Sequence, residues 1–226
     1  MQKNTLLTTV CAVLMTTACS IDSYEKGEGD YSLMTAELVE AHVGSDKYIK
    51  FVETDQGETL NMTPPFTSKW IEKEDTVYRA LLYYNKMTDG TAQAVSCGRV
   101  SVLMPRDSFP TNTTADVHKK DYTRTDPIHL ESVWMSKNKK YLNLRMRLLT
   151  GSTDDEDAVH VIGLLRDTIA STTSHVRLQL CHDQGGRPEY YSFTAYASIP
   201  LASVQSADTI TLTVNTYDGL KTMSFF

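Results

Sequence analysis

Chemistry needs particular side chains at particular spacings, and Cys19 has the clearest such setting in the chain. The run Leu14-Met15-Thr16-Thr17-Ala18 places small residues directly before it. Small residues let a peptidase approach an extended backbone, and a cysteine left at the new N-terminus can carry acyl chains. Cleavage after Ala18 and thioether lipidation of Cys19 are the expected chemistry. Residues 1–18 have the matching signal layout: Lys3 near the start, an apolar segment from Leu6 to Met15, then small residues. That segment is too short to span a bilayer. The expected membrane partner is therefore reached through an N-terminal lipid.

The other reactive residue types are scattered. His42, His118, His129, His160, His175 and His182 form no H-x-x-x-H pair, and an acid–base or metal role would need convergence in space. Cys97 and Cys181 have no C-x-x-C spacing. They read as two buried thiols or as a disulfide joining two modules in an oxidising envelope. Asp154-Asp155-Glu156-Asp157 lacks the spaced acids and central glycine of a calcium loop and reads as a solvated hairpin tip. Asp183-Gln184-Gly185-Gly186-Arg187 lacks the helix and lysine of a nucleotide loop and reads as a plain turn. No G-x-S-x-G, G-x-x-x-x-G-K or paired-carboxylate motif stands out, so no catalytic set, metal or cofactor is expected. What remains is a binding face: Asn143, Arg145, Arg147, Arg177, Gln179, Tyr190 and Tyr196 fall at outward positions of strands. Aromatic, amide and guanidinium groups suit sugars or peptides. The plainer reading of the same residues is as the wet faces of two different sheets, since any sandwich shows such residues.

The elements that must position these residues are strands. The chain has 226 residues, 41% of them hydrophobic, and a net charge of −6. An acidic chain gains little from phosphate backbones, so nucleic acid is not an expected partner. Residues 19–30 form a polar, Gly-containing tether. Residues 31–105 read as five strands: Tyr31–Val43, Lys47–Thr54, Glu58–Met62, Thr76–Lys86 and Ala92–Met104. Pro64-Pro65 is expected to break the ladder and open a loop containing Trp70. Five strands with an insertion between the third and fourth fit a small OB-like barrel. Tyr78, Tyr83 and Tyr84 sit in an apolar run and read as core. Residues 106–125 carry Pro110, a Thr/Asn-rich patch and Lys119-Lys120, and read as a linker.

Residues 126–226 alternate with period two, as a sheet with one wet face does. Leu142, Leu144, Met146 and Leu148 point one way, and Tyr141, Asn143, Arg145 and Arg147 the other. Val176, Leu178 and Leu180 oppose Arg177 and Gln179, while Ile210, Leu212 and Val214 oppose Thr211 and Thr213. Seven short strands predict an antiparallel β-sandwich, with the last strand ending in Phe226 as a sheet edge. The fold class expected is all-β: an OB-like barrel followed by a sandwich.

Several segments carry a resemblance: Asp126-Pro127-Ile128 through Val133-Trp134-Met135, Tyr141-Leu142-Asn143-Leu144-Arg145, Leu164-Leu165-Arg166-Asp167, Pro188-Glu189-Tyr190-Tyr191-Ser192, Ser198-Ile199-Pro200-Leu201 and Thr216-Tyr217-Asp218-Gly219. These resemble the NigD-like lipoproteins. The resemblance implies a lipid anchor, an N-terminal OB-like domain, a C-terminal β-sandwich and a genomic association with a bacteriocin-type operon. It transfers no catalytic residue. The functions expected are a non-enzymatic binding or accessory lipoprotein at the outer membrane or cell surface, with an envelope protein, glycan or peptide as partner; an immunity-like protein; or a hydrolase whose carboxylates converge only on folding.

Overall fold

The computed structural model describes residues 34–107, 124–155, 158–204 and 208–226. Cys19, the expected signal segment and most of the expected tether-to-barrel approach lie outside the described residues. So do residues 108–123 of the expected linker, together with Glu156 and Asp157.

Strands β1 (Thr35–Val43), β2 (Ile49–Thr54), β3 (Thr59–Phe66), β4 (Thr76–Lys86) and β5 (Ala92–Arg99) close a barrel in the order β1-β2-β3-β5-β4. Closure needs the parallel contact of β3 with β5 at Met62 and Ala92 and the long antiparallel ladder of β1 with β4. Alternate residues fill the interior, among them Val39, Ala41, Val52, Leu60, Ala80 and Leu82. Tyr78 and Tyr84 are buried as expected, and Tyr83 is half-buried. Pro64-Pro65 does not end β3. The ladder of β2 with β3 jumps from Phe51–Asn61 to Ile49–Phe66, so the prolines occupy a bulge where no ladder N–H is required. The Thr63–Pro64 peptide is cis.

Nine strands follow: β6 (Ser101–Val102), β7 (Arg106–Asp107), β8 (His129–Met135), β9 (Tyr141–Thr150), β10 (Val161–Arg166), β11 (His175–Asp183), β12 (Tyr191–Pro200), β13 (Thr209–Thr216) and β14 (Gly219–Phe225). They form a five-stranded sheet, β14-β13-β11-β10-β7, and a four-stranded sheet, β6-β12-β9-β8. The seven long strands match the expected ones within a few residues. The two short ones, β6 and β7, come from residues 101–107, spanning the expected boundary at residue 105. The expected antiparallel order is also corrected: β7 with β10, β6 with β12 and β11 with β13 are parallel pairs. Alternation tells which face is wet and says nothing of strand direction. Because β12 lies in the other sheet, β11 and β13 enter their own sheet from the same end. The apolar rows of β9, β11 and β13 form one core with Ile128 and Ile199.

Residues 34–226 form one compact unit, and its joint is polar. Residues alternating with Tyr78, Ala80 and Leu82 on β4 point out of the barrel, and Arg79 is one of them. Its side chain is 1% exposed. Nη2 donates to Asp55 Oδ2 at 2.7 Å and to Asn143 Oδ1 at 3.0 Å, and Nε donates to Ser198 Oγ at 3.0 Å. The guanidinium carbon lies 4.1 Å from the centre of the Tyr141 ring. Asn143 Nδ2 donates to Asp55 Oδ2, and Ser198 Oγ donates to Asn143 Oδ1. The turn between β8 and β9 adds a second clamp: Asn138 N donates to Asp55 O, Lys140 pairs with Glu40 and Glu53, and Tyr141 Oη donates to Glu40.

Asn143 is therefore not part of an exposed face. It is fully buried. Its parity is the expected one, opposite Leu142 and Leu144, but the barrel covers that end of the sheet.

Candidate functional site

Beyond Asn143, β9 leaves the shadow of the barrel, and Arg145 and Arg147 reach solvent. Arg145 lies opposite Tyr196 in the β9–β12 ladder, and its guanidinium carbon is 6.0 Å from the tyrosine ring centre. Its Nε also donates to Glu131 at 2.7 Å, which fixes the side chain along the strand. Arg145 and Tyr196 face the outer wall of the barrel across two adjoining hollows of about 510 and 460 Å³. Both hollows share Leu81, Arg145 and Tyr196. The first adds Tyr83, Arg99 and Phe193; the second adds Leu38, Ser132 and Trp134. Together they form a cleft along the joint of barrel and sandwich. Aromatic rings stand on both walls, two guanidinium groups stand among them, and among the described residues neither lining contains a carboxylate. Such a surface stacks against flat or apolar ligand faces and binds oxygen acceptors through guanidinium N–H groups.

The other expected residues go elsewhere. Arg147 is exposed on β9 but outside the cleft, opposite His129 on β8 and Thr194 on β12. Arg177 and Gln179 lie on the wet face of β11, in the other sheet. Tyr190 precedes β12 and is 81% exposed, leaning over Gly151. Of the seven, the fold brings together Arg145 and Tyr196. Trp134, Tyr83 and Arg99 were missed because they come from separate strands of two modules, and no spacing in sequence links them.

A second constellation was also missed. His182 continues the inward row Val176, Leu178 and Leu180 on β11 and caps the end of the sandwich core. His160 approaches from the segment before β10, with Nδ1 3.0 Å from His182 Nε2. The ring planes are 7° apart with centroids 5.3 Å apart, so the rings meet edge to edge, as an in-plane N–H···N bond requires, and not face to face. His182 Nδ1 lies 3.2 Å from the Asp126 carbonyl, which can only accept, so that nitrogen carries the hydrogen. Neutral His182 then accepts at Nε2 from His160 Nδ1–H, leaving His160 Nε2 as a buried acceptor without a hydrogen-bond partner. Burial lowers the pKa of both rings, and for His160 the neighbouring His182 and Arg187 lower it further. The hydrogen-bond pattern of the pair is that of two neutral imidazoles. Among the described residues no three His, Cys, Asp or Glu side chains converge as a metal site. Cys97 is a thiol whose pKa burial pushes up to about 12, and Cys181 is buried in the sandwich.

Residues 109–226 match the NigD-like C-terminal beta sandwich domain, more than half the chain. The chain belongs to the NigD-like family. Solved structures agree in fold. A NigD-like immunity protein from Bacteroides caccae is 24% identical with a TM-score of 0.62, the alignment covering 84% of this chain and 91% of that one. A protein described as toxin-related, from Parabacteroides distasonis, is 15% identical with a TM-score of 0.63, covering 85% and 92%. A protein described as a candidate lipoprotein, from Bacteroides fragilis, is 11% identical with a TM-score of 0.56, covering 85% and 96%. No curated protein matches the chain. Among the described residues no helix is long and apolar enough to cross a membrane.

Proposed function

We propose that this NigD-like protein is a lipid-anchored, non-enzymatic binding or accessory protein of a Gram-negative cell envelope, and that the barrel–sandwich cleft is its binding face. The observation that carries the reading is the cleft itself, where Arg145 and Tyr196 meet Trp134, Tyr83 and Arg99 across a joint bonded through buried Arg79. An aromatic, guanidinium-lined cleft between two hydrogen-bonded modules suits capture of a glycan or peptide with little rearrangement of the backbone. The setting of Cys19 and the lipoprotein description of the Bacteroides fragilis relative support the anchor. The hydrolase expected from the sequence would need two close carboxylates or a His–carboxylate pair in the cleft, and its described lining holds neither carboxylate nor histidine.

Glycan and peptide arrays probed with the mature protein should return a ligand. Tyr196→Ala and Arg145→Ala should each weaken that binding about tenfold, the size of one stacked or charge-assisted contact. Arrays without a hit, or hits indifferent to both substitutions, would remove the cleft as the binding face. Cys19→Ala should release the protein from the membrane fraction; retention there would remove the lipid anchor. A second reading, immunity to a toxin, is favoured by the Bacteroides caccae relative. It predicts that deletion sensitises the producing strain to its own bacteriocin-type toxin, and unchanged sensitivity would retire it.

A further inference from the structure

Arg99, Val100 and Ser101 form a wall. The cleft lies on one side, and a separate cavity of about 670 Å³ lies on the other, bounded by the β3–β4 loop, β4 and β10. Its volume is that of a small-molecule site. Its charge runs against the rest of the protein. The chain carries −6 overall, yet among the described residues the lining brings Lys73, Arg79 and Arg99 together against the single carboxylate of Glu72. Neither Lys73 nor Arg99 forms an ion pair with a described residue. Arg99 rests with its guanidinium carbon 5.3 Å from the centre of the Tyr78 ring. Tyr78 Oη in turn accepts the backbone N–H groups of Glu72 and Lys73, which holds the loop and its lysine at the cavity. Arg79 Nη1 is buried without a hydrogen-bond partner, although the other two nitrogens of that guanidinium are held. Asp55 neutralises Arg79 from behind. Among the described residues, counting Glu72 and Asp55 against the three cations leaves one positive charge for a ligand to balance. Beside the hydroxyls of Thr76 and Ser101 the lining carries an apolar strip: Val77 and Val102 are about half exposed, at 49% and 45%, and Ile162 adds to it.

We propose that this cavity binds a small amphiphilic monoanion, a carboxylate attached to an apolar body. The carboxylate pairs with Lys73 and Arg99, whose guanidinium offers the planar fork that a carboxylate fits. The apolar body covers Val77, Val102 and Ile162 and removes them from water. An acyl chain and the apolar C-terminus of a peptide share this chemistry, and the experiment separates them.

Isothermal titration of the mature protein compares octanoate with octanol, and N-acetyl-Leu-Leu with its C-terminal amide. Octanoate or the free-acid dipeptide should bind, and its uncharged counterpart should bind at least about tenfold more weakly. The tighter of the two acids identifies the source. Lys73→Ala should weaken that acid about fivefold, as loss of one partly exposed ion pair does, and Glu72→Gln should tighten it. Tyr196→Ala, on the other side of the wall, should leave it unchanged, which keeps this result separate from the cleft reading. Equal binding of acid and neutral counterpart, no binding of either acid at millimolar concentration, or indifference to both Lys73→Ala and Glu72→Gln would overturn the proposal.

Discussion

At the scale of single residues, charge burial dominates. Arg79 and Asp55 are held out of water at the joint, each by the other and by Asn143 and Ser198. Removing one member leaves the other as an uncompensated buried charge, a loss of about 3–5 kcal/mol. Asp55→Ala should lower stability by that amount in urea denaturation; a loss below about 1 kcal/mol would show that water already screens the pair. The histidine pair makes a second prediction. The folded-state pKa of both rings lies below the ordinary value of about 6.5, so the unfolded chain binds protons that the folded chain does not. Their contribution to stability is complete above about pH 6.5 and falls as pH drops from there toward the lowered values. Asp126 and Asp183 face His182, and Arg187 and Asp183 face His160, so the carboxylates temper the effect and the arginine sharpens it. Urea midpoints at pH 7.5 and 5.5 should differ, and the double variant His160→Phe, His182→Gln should flatten that difference. An equal slope in the variant would place the titration elsewhere. The inward position of His182 was legible, because it extends the Val176–Leu180 alternation by one step. Its partner was not, because only the fold brings residue 160 to it. The burial of Asn143 was illegible for the same reason: parity names a face, and only tertiary structure says what covers it.

At the scale of elements, apolar alternation located β9, β11 and β13, and an apolar run located β4. Asp55-Gln56-Gly57 turns with Gly57 at φ +87°, and Gly90 ends Thr88-Asp89-Gly90 at φ +84°. The Asp183–Arg187 turn shows why two adjacent glycines are not equivalent. Both have positive φ, +65° at Gly185 and +71° at Gly186. A Cβ on Gly186 would meet nothing within 4 Å, whereas one on Gly185 would lie 2.4 Å from the Val159 carbonyl oxygen. Gly186→Ala should cost about 1–2 kcal/mol, the ordinary penalty of the left-handed region. Gly185→Ala should cost roughly twice that, since backbone must move as well. Equal thermal shifts for the two variants would mean that the Val159 segment yields freely. Strand direction and the bulge that shelters Pro64-Pro65 could not be read in advance. Proline forbids a ladder hydrogen bond but does not forbid a strand that needs none at that point.

At the scale of the whole molecule, barrel and sandwich share buried polar groups, and separating them would strand Arg79 and Asn143. The two should therefore unfold together. Trp70 reports on the barrel, where its Nε1 donates to Cys97 O, and Trp134 reports on the sandwich. Urea transitions followed with Trp70→Phe and with Trp134→Phe should share one midpoint, allowing for each substitution's own cost, and Asp55→Ala should pull the two apart. Two midpoints in the parent background would show independent modules.

Ser101–Val102 and Arg106–Asp107 lie close together in the chain, yet one edges the sheet of β12 and the other the sheet of β10. The family match begins at residue 109, after both. A gene fusion made at that point would pass on a sandwich missing one border strand from each sheet, with β12 and β10 open to pairing with foreign chains. The heritable cassette is thus larger than the recognisable domain. A crossover that keeps both border strands with the sandwich lies before Ser101.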